Sequence, residues 1–182
     1  MAKLLYSASM SLDGYIAGPG GDMSWLTPRL GPDPLIDGLI PQIGALLVGW
    51  RTFGGDDPNR LDPAKAGKPF GGGWSGEQFV LTHRSGLSAL PGITFVDSLP
   101  GAVAAARAAA GDGYVNVLGA DVARQLIETG QLDEVLVGIV PVLLGDGTPL
   151  FERAGAPVAL ERLTANIAAA STDAWFRVVY PE

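Results

Sequence analysis

Six short apolar runs constrain the fold most. They are LLYSAS at Leu4–Ser9, ALLVG at Ala45–Gly49, FVLT at Phe79–Thr82, ITFV at Ile93–Val96, YVNVL at Tyr114–Leu118 and EVLVGIVPVLL at Glu134–Leu144. Most of them are continuous rather than alternating, as expected of strands covered on both faces. Helical segments lie between the later runs. Leu99 to Gly111 is alanine-rich and ends on glycine, a good helix former with a good stop. Asp121 to Thr129 reads as a second helix, with Gly130 just past its end. A weaker helix from Asp33 to Ile43 is interrupted by Gly38 and Pro41. Strands alternating with helices predict a three-layer α/β fold, a mostly parallel central sheet with helices on both faces. The tail from LERLTANI to WFRVVY alternates, which predicts an antiparallel C-terminal hairpin. Trp50 to Gln78 is rich in Gly, Pro and Asp and reads as a long surface excursion, and GPGGD at Gly18–Asp22 as a loop. With 182 residues and no repeat or linker, residues 1–182 are expected to form a single domain.

Composition removes whole classes of function. Apolar residues make up 47% and charged residues 17% of a chain of net charge −7. That balance argues against nucleic-acid and anionic-membrane partners and leaves a small-molecule ligand. There is no cysteine, which excludes thiolate nucleophiles and cysteine metal sites. The first residues, MAKLLYSASMSLDG, are too polar for a signal-peptide core. VLVGIVPVLLG has about half the length needed to span a bilayer. A cytoplasmic location is expected.

Several familiar motifs fail on context. GxGxxG occurs at Gly71, Gly73 and Gly76, but in a loop that leads into a strand, the reverse of the dinucleotide fingerprint. Lys68 is followed by Pro69, so no phosphate loop of the GxxxxGK[ST] kind exists. His83 is the only histidine, and no triad or zinc spacing surrounds it. Asp56-Asp57 is most simply a solvated loop pair.

Strand ends carry the stronger signal. In VNVLGADVARQL, Gly119 bares the backbone before a helix that Asp121 is placed to cap. Free N–H groups at a helix start attract an anion such as a pyrophosphate. The alternative is that Gly119 only permits tight strand-to-helix packing. Arg51 and Thr52 follow another apolar run, and Thr82, His83 and Arg84 a third. In a parallel sheet such ends share one edge, where ligands bind, and Arg suits phosphate.

SMSLDGYIAG, LLVGWRTF, FVLTHRS and VLGADVARQLIETGQLDEVLVGIVPVLLGDGTPLF follow in an order that resembles the dihydrofolate reductase-like superfamily. The branch is that of the reductase (RibD C-terminal) domain of riboflavin biosynthesis, and the likeness spans essentially the whole chain. It implies a dihydrofolate reductase-like fold and an NADPH-dependent reductase acting on a small planar pterin- or pyrimidine-like heterocycle. It implies that Ser9 and Ile16 lie near the nicotinamide. Gly49, Trp50, Arg51 and Thr52 would face the pyrophosphate and adenosine phosphate. Thr82, His83 and Arg84 would surround the 2′-phosphate ribose. Leu118, Gly119, Ala120, Asp121, Val122 and Ala123 would hold the pyrophosphate. Ser7 and Trp25 would border the substrate. A homodimer is also implied.

Three departures bear on function. Leu118 stands where the family often has the first of two glycines. Ser7 replaces the lysine of the riboflavin branch's Lys-x-Ala-x-Ser-Leu-Asp-Gly. The acid that protonates pterins has no fixed counterpart: five residues after Trp25 stands Leu30, Asp33 is the nearest acid and Asp37 the second, and these two read equally as a helix cap and an exposed helix charge. These departures motivate a second expectation, a nucleotide- or pterin-binding module without turnover.

Overall fold

The computed structural model describes residues 1–181 apart from 60, 63, 89 and 168–170. Its strands are β1 (Leu4–Ser11), β2 (Tyr15–Ala17), β3 (Ile43–Gly49), β4 (Glu77–Leu81), β5 (Ile93–Val96), β6 (Tyr114–Leu118), β7 (Glu134–Val140), β8 (Thr148–Pro149), β9 (Ala159–Ile167) and β10 (Thr172–Val179). Its α-helices are α1 (Pro34–Leu39), α2 (Trp50–Phe53), α3 (Leu99–Ala110) and α4 (Ala120–Glu128). Eight strands form one sheet in the order β5-β4-β3-β6-β1-β7-β10-β9, while β2 and β8 pair separately. Pairings from β5 through to β7 are parallel. β10 runs antiparallel to β7 and to β9, which makes the predicted C-terminal hairpin.

Alternation along each strand separates two cores. Leu4 and Tyr6 pack with Leu47, Val117, Ala106 and Leu126 beneath α3 and α4. Leu5 points the other way, to Leu46, Val48, Leu136 and Leu39, with Trp50 and Phe53 of α2 packed alongside. The alanines of α3 let that helix lie close to the sheet, where Ala102 and Ala106 are fully buried. α4 is amphipathic and buries Val122, Ala123, Leu126 and Ile127. Each such large aliphatic side chain contributes roughly 1.5–3 kcal/mol.

Some boundaries differ from the sequence expectation. The helix expected over Asp33 to Ile43 is only α1 followed by a 3₁₀ turn at Ile40–Gln42, and Ile43 already opens β3. Pro41 has no N–H to continue the α-helix. The run EVLVGIVPVLL stops being strand at Val140, where Pro141 would break the ladder. The expected excursion begins instead with the single turn α2, and Gln78 belongs to β4. Among the described residues, no helix is long and apolar enough to cross a membrane.

Candidate functional site

Strand register levels the C-terminal ends of the central strands. Gly49 is opposite Leu81, Leu81 opposite Val96, and Val48 opposite Leu118. The residues that follow these positions therefore emerge along one rim. β1 reaches further and places Ser9 beside Gly138 and Ser11 beside Val140 of β7.

Where β3 and β6 end, two chain turns touch. Gly119 has φ +112°, and a Cβ there would stand 2.7 Å from Thr52 Oγ1. A Cβ on Gly49 would stand 3.2 Å from Val122 Cγ2. Both glycines are thus needed for close approach, and Gly119 also for its backbone angle. This satisfies the packing explanation of Gly119, and it leaves the start of α4 at the rim as well. Gly119 is itself the N-cap of α4, without a side-chain cap. The first intrahelical bond runs from the Ala123 N–H to the Gly119 carbonyl, so the N–H groups of Ala120, Asp121 and Val122 have no acceptor within the helix.

The expected cap by Asp121 is not formed. Its carboxylate accepts from Arg124 Nη2 at 2.7 Å and Gln125 Nε2 at 2.9 Å. Partners at i+3 and i+4 on the same helix outcompete a backbone bond that would require Asp121 to lie outside it. The bond to Arg124 holds this carboxyl below the usual range, and the charge of Arg51 lowers it further. The acid that would repel an anion is therefore drawn sideways and compensated. Val122 and Ala123 point their side chains into the core; only their backbone reaches the rim.

On the β4 side, Thr82 is buried and its hydroxyl accepts the Arg84 N–H at 3.2 Å. This turns the chain so that His83 and Arg84 are exposed. The Arg84 guanidinium lies 4.9 Å from the Trp50 ring centre, a cation–π contact. Trp50 rests in turn on Phe53 and Phe95. Arg51, Thr52 and His83 make no side-chain hydrogen bond within the chain among the described residues. Free donors, a helix start and a flat aromatic shelf make a surface suited to a phosphorylated, partly planar molecule.

The other expected positions are less uniform. Ser7 is nearly buried and pairs in register with Leu136. Ile16 lies in β2, outside the large sheet. Trp25 is buried with Leu26 against Val140, and its indole N–H has no partner. Asp33 caps α1: its Oδ1 accepts from Leu35 N at 2.9 Å and Ile36 N at 3.2 Å. Asp37 is exposed on that helix.

Two buried acids were not anticipated. Glu134 sits at the opposite edge, bound by Lys3 Nζ at 2.7 Å, Trp175 Nε1 at 2.8 Å and Tyr114 Oη at 3.2 Å. Asp173, at the start of β10, is wholly buried and accepts from Ser171 Oγ at 2.7 Å. Its one sequence signal is an acid two places before Trp175, on the inward face of a strand.

The chain is 26% identical to the uncharacterized protein YyaP of Bacillus subtilis (strain 168) over 152 residues, which is 82% of this chain and 80% of that protein. A protein of Shewanella sp. PV-4, provisionally assigned to riboflavin biosynthesis, superposes with a TM-score of 0.77 at 22% identity, over 99% of this chain and 100% of that one. Dihydrofolate reductase from Enterococcus faecalis, complexed with NADP(H) and RAB-propyl, superposes with a TM-score of 0.62 at 18% identity, over 97% and 96%. These two structural likenesses establish a dihydrofolate reductase-like fold. The model of the RibD C-terminal domain matches residues 2–173, and the chain belongs to that family.

Proposed function

We propose that this protein is an NADPH-dependent reductase that transfers a hydride to a small planar heterocycle of the pterin or pyrimidine kind. The observation that carries the reading is the shared rim: Arg51, Thr52, His83 and Arg84 follow strand ends that are level with the end of β6, where α4 opens, and they have no side-chain acceptor of their own among the described residues. The dinucleotide, when bound, supplies the hydride. Gly119 and the N–H groups of Ala120 to Val122 fit its pyrophosphate. Arg51 and Arg84 fit phosphate oxygens, and Trp50 offers a flat face beside them. Ser7, Ser9 and the cluster around Trp25 border the substrate at the far end of this rim. There the chain orients the acceptor and limits water.

Membership of a reductase family supports the class of reaction. Titration of the protein's fluorescence with NADPH and NADH tests the reading: saturation at micromolar NADPH is expected, and no saturation by either nucleotide refutes it. Saturation without NADPH oxidation, across dihydropterins and aminopyrimidinones, would instead identify a binding module.

A further inference from the structure

Asp173 is the least satisfied acid among the described residues. It is fully buried, and its Oδ2 has no hydrogen-bond partner. Its neighbour is a second acid, because Ser171 Oγ lies 2.7 Å from Asp173 Oδ1 and 3.5 Å from Asp33 Oδ2. Among the described residues no cation pairs with either carboxylate, and Asp33 is the only charge acting on Asp173. β7 offers Gly138, β9 offers neutral Asn166, and β1 offers the hydroxyls of Ser9 and Ser11. Asp37 is exposed on α1. Two adjacent carboxylates without a cation, one of them sealed from water, are strongly disfavoured; one proton resolves the conflict.

The location gives that proton a use. Ser9, Gly138 and Asp173 are register partners on three neighbouring strands and so share one face. A Cβ on Gly138 would meet Asp173 Oδ1 at 3.0 Å. The carboxyl therefore occupies the space of a β7 side chain and leans towards β1. Asp33, half-buried, is the member of the pair that reaches open space.

We propose that Asp33, Ser171 and Asp173 form one acid unit that holds a single proton on Asp173 and delivers it, through Ser171 and Asp33, to the substrate. The inference rests on the reductase reading above. In reduction of a C=N or C=O bond, the hydride pair forms the new C–H bond and the π pair moves to nitrogen or oxygen. Asp173 gives its proton to the Ser171 hydroxyl as Ser171 gives its own to the Asp33 carboxylate, and Asp33 then gives that proton to the atom that received the π pair. NADPH, when bound, would supply the hydride pair; after product leaves, solvent reprotonates the unit at Asp33, and the proton returns through Ser171 to Asp173. Asp33 is the catalytic acid; Asp173 is a positioning residue that acts through it. Burial, reinforced by the nearby Asp33 charge, pushes the Asp173 carboxyl above the ordinary range.

The test is carboxyl ¹³C NMR of the full chain labelled at aspartate, with Asp173→Asn and Asp33→Asn to assign the signals. One carboxyl should keep its acid-form shift near neutral pH and vanish in Asp173→Asn. In Asp33→Asn the same signal should titrate at lower pH. With dihydrofolate as probe, Asp173→Asn should lower kcat roughly 100-fold and move the alkaline limb of its pH profile, with KM for NADPH unchanged. Asp173→Glu should restore that limb in part. Gly138→Ala, which displaces the carboxyl without removing it, should mimic Asp173→Asn. A wild-type protein that binds NADPH while Asp173 is ionised near neutral pH overturns this proposal alone. A wild-type protein that binds no nucleotide overturns the reading beneath it.

Discussion

The two edges of the central sheet treat charge in opposite ways. At the N-terminal edge, buried Glu134 has three donors, from Lys3, Tyr114 and Trp175. Beside it, Asp133 accepts the Leu4 N–H at 2.8 Å and faces Arg107 at 3.6 Å. At the C-terminal edge, Arg51 and His83 have no hydrogen-bonded partner among the described residues, and three N–H groups of α4 face outward. Groups that satisfy one another stabilise a fold; groups left facing solvent at converging strand ends are available to a ligand. A hollow of about 390 Å³ at the N-terminal edge sharpens the contrast. Pro41, Gln42, Ile43, Gly44, Ala110, Asp112, Gly113 and Tyr114 line it. Its one charge is negative, so size alone does not make it a phosphate site.

The largest expected effect comes from breaking the satisfied edge. Glu134→Ala leaves the Tyr114 hydroxyl and the Trp175 indole N–H without their acceptor, and should cost about 3–5 kcal/mol of stability. Urea unfolding measures this. Nucleotide affinity of the remaining folded protein should not change; an equal loss of affinity would erase the distinction between the edges. Lys3→Met should cost less, because Lys3 is half exposed. The bond to Glu134 raises the Lys3 pKa. Its contribution is therefore present below the unfolded value near 10.5 and fades as pH rises through the folded one.

The open edge is probed by Arg51→Ala and Arg84→Ala. A charge-assisted hydrogen bond is worth about 1.5–3 kcal/mol, so the arginine that meets the 2′-phosphate should lose about 10–100-fold in NADPH Kd and little in NADH Kd. Unfolding midpoints should barely move. Equal loss with both nucleotides would place that arginine at the pyrophosphate instead.

How much of this was legible in the chain follows from which interactions are local. ITFV, YVNVL and the alanine-rich α3 could be read because burial on both faces writes itself as a continuous apolar run and glycine marks the stop. The strand ends could be read for the same reason: Arg51 and Arg84 simply follow their strands. Asp121 was misread as a cap because Arg124 and Gln125 compete for it on the helix surface. The acids at Glu134 and Asp173 were invisible because burial of a charge is decided by partners far away in sequence. Lys3 and Glu134 are 131 residues apart, and Asp33 is brought to Ser171 across 138. No local pattern encodes such meetings.

The smallest effect separates two acids at the C-terminal edge of the sheet by the sign of their pH dependence. Asp13 accepts the Gly145 N–H at 2.7 Å and the Leu144 N–H at 3.1 Å, tying the turn after β1 to the loop after β7. The Ser11 side chain, followed by these backbone donors, lowers its pKa to about 2. A depressed carboxyl stabilises above its unfolded pKa of roughly 3.9, and the contribution is lost as pH falls towards the folded value. Asp13→Asn should therefore lower the thermal midpoint slightly at neutral pH and leave it unchanged in strong acid. Asp173 has the opposite sign. A raised carboxyl stabilises fully below its unfolded pKa and loses that contribution as pH rises through the folded one. Asp173→Asn should therefore gain on the wild type as pH rises from acid to neutral. Thermal melts of both variants from strong acid to neutral pH would decide it: parallel curves would mean that the difference between a satisfied and an unsatisfied acid does not reach stability at all.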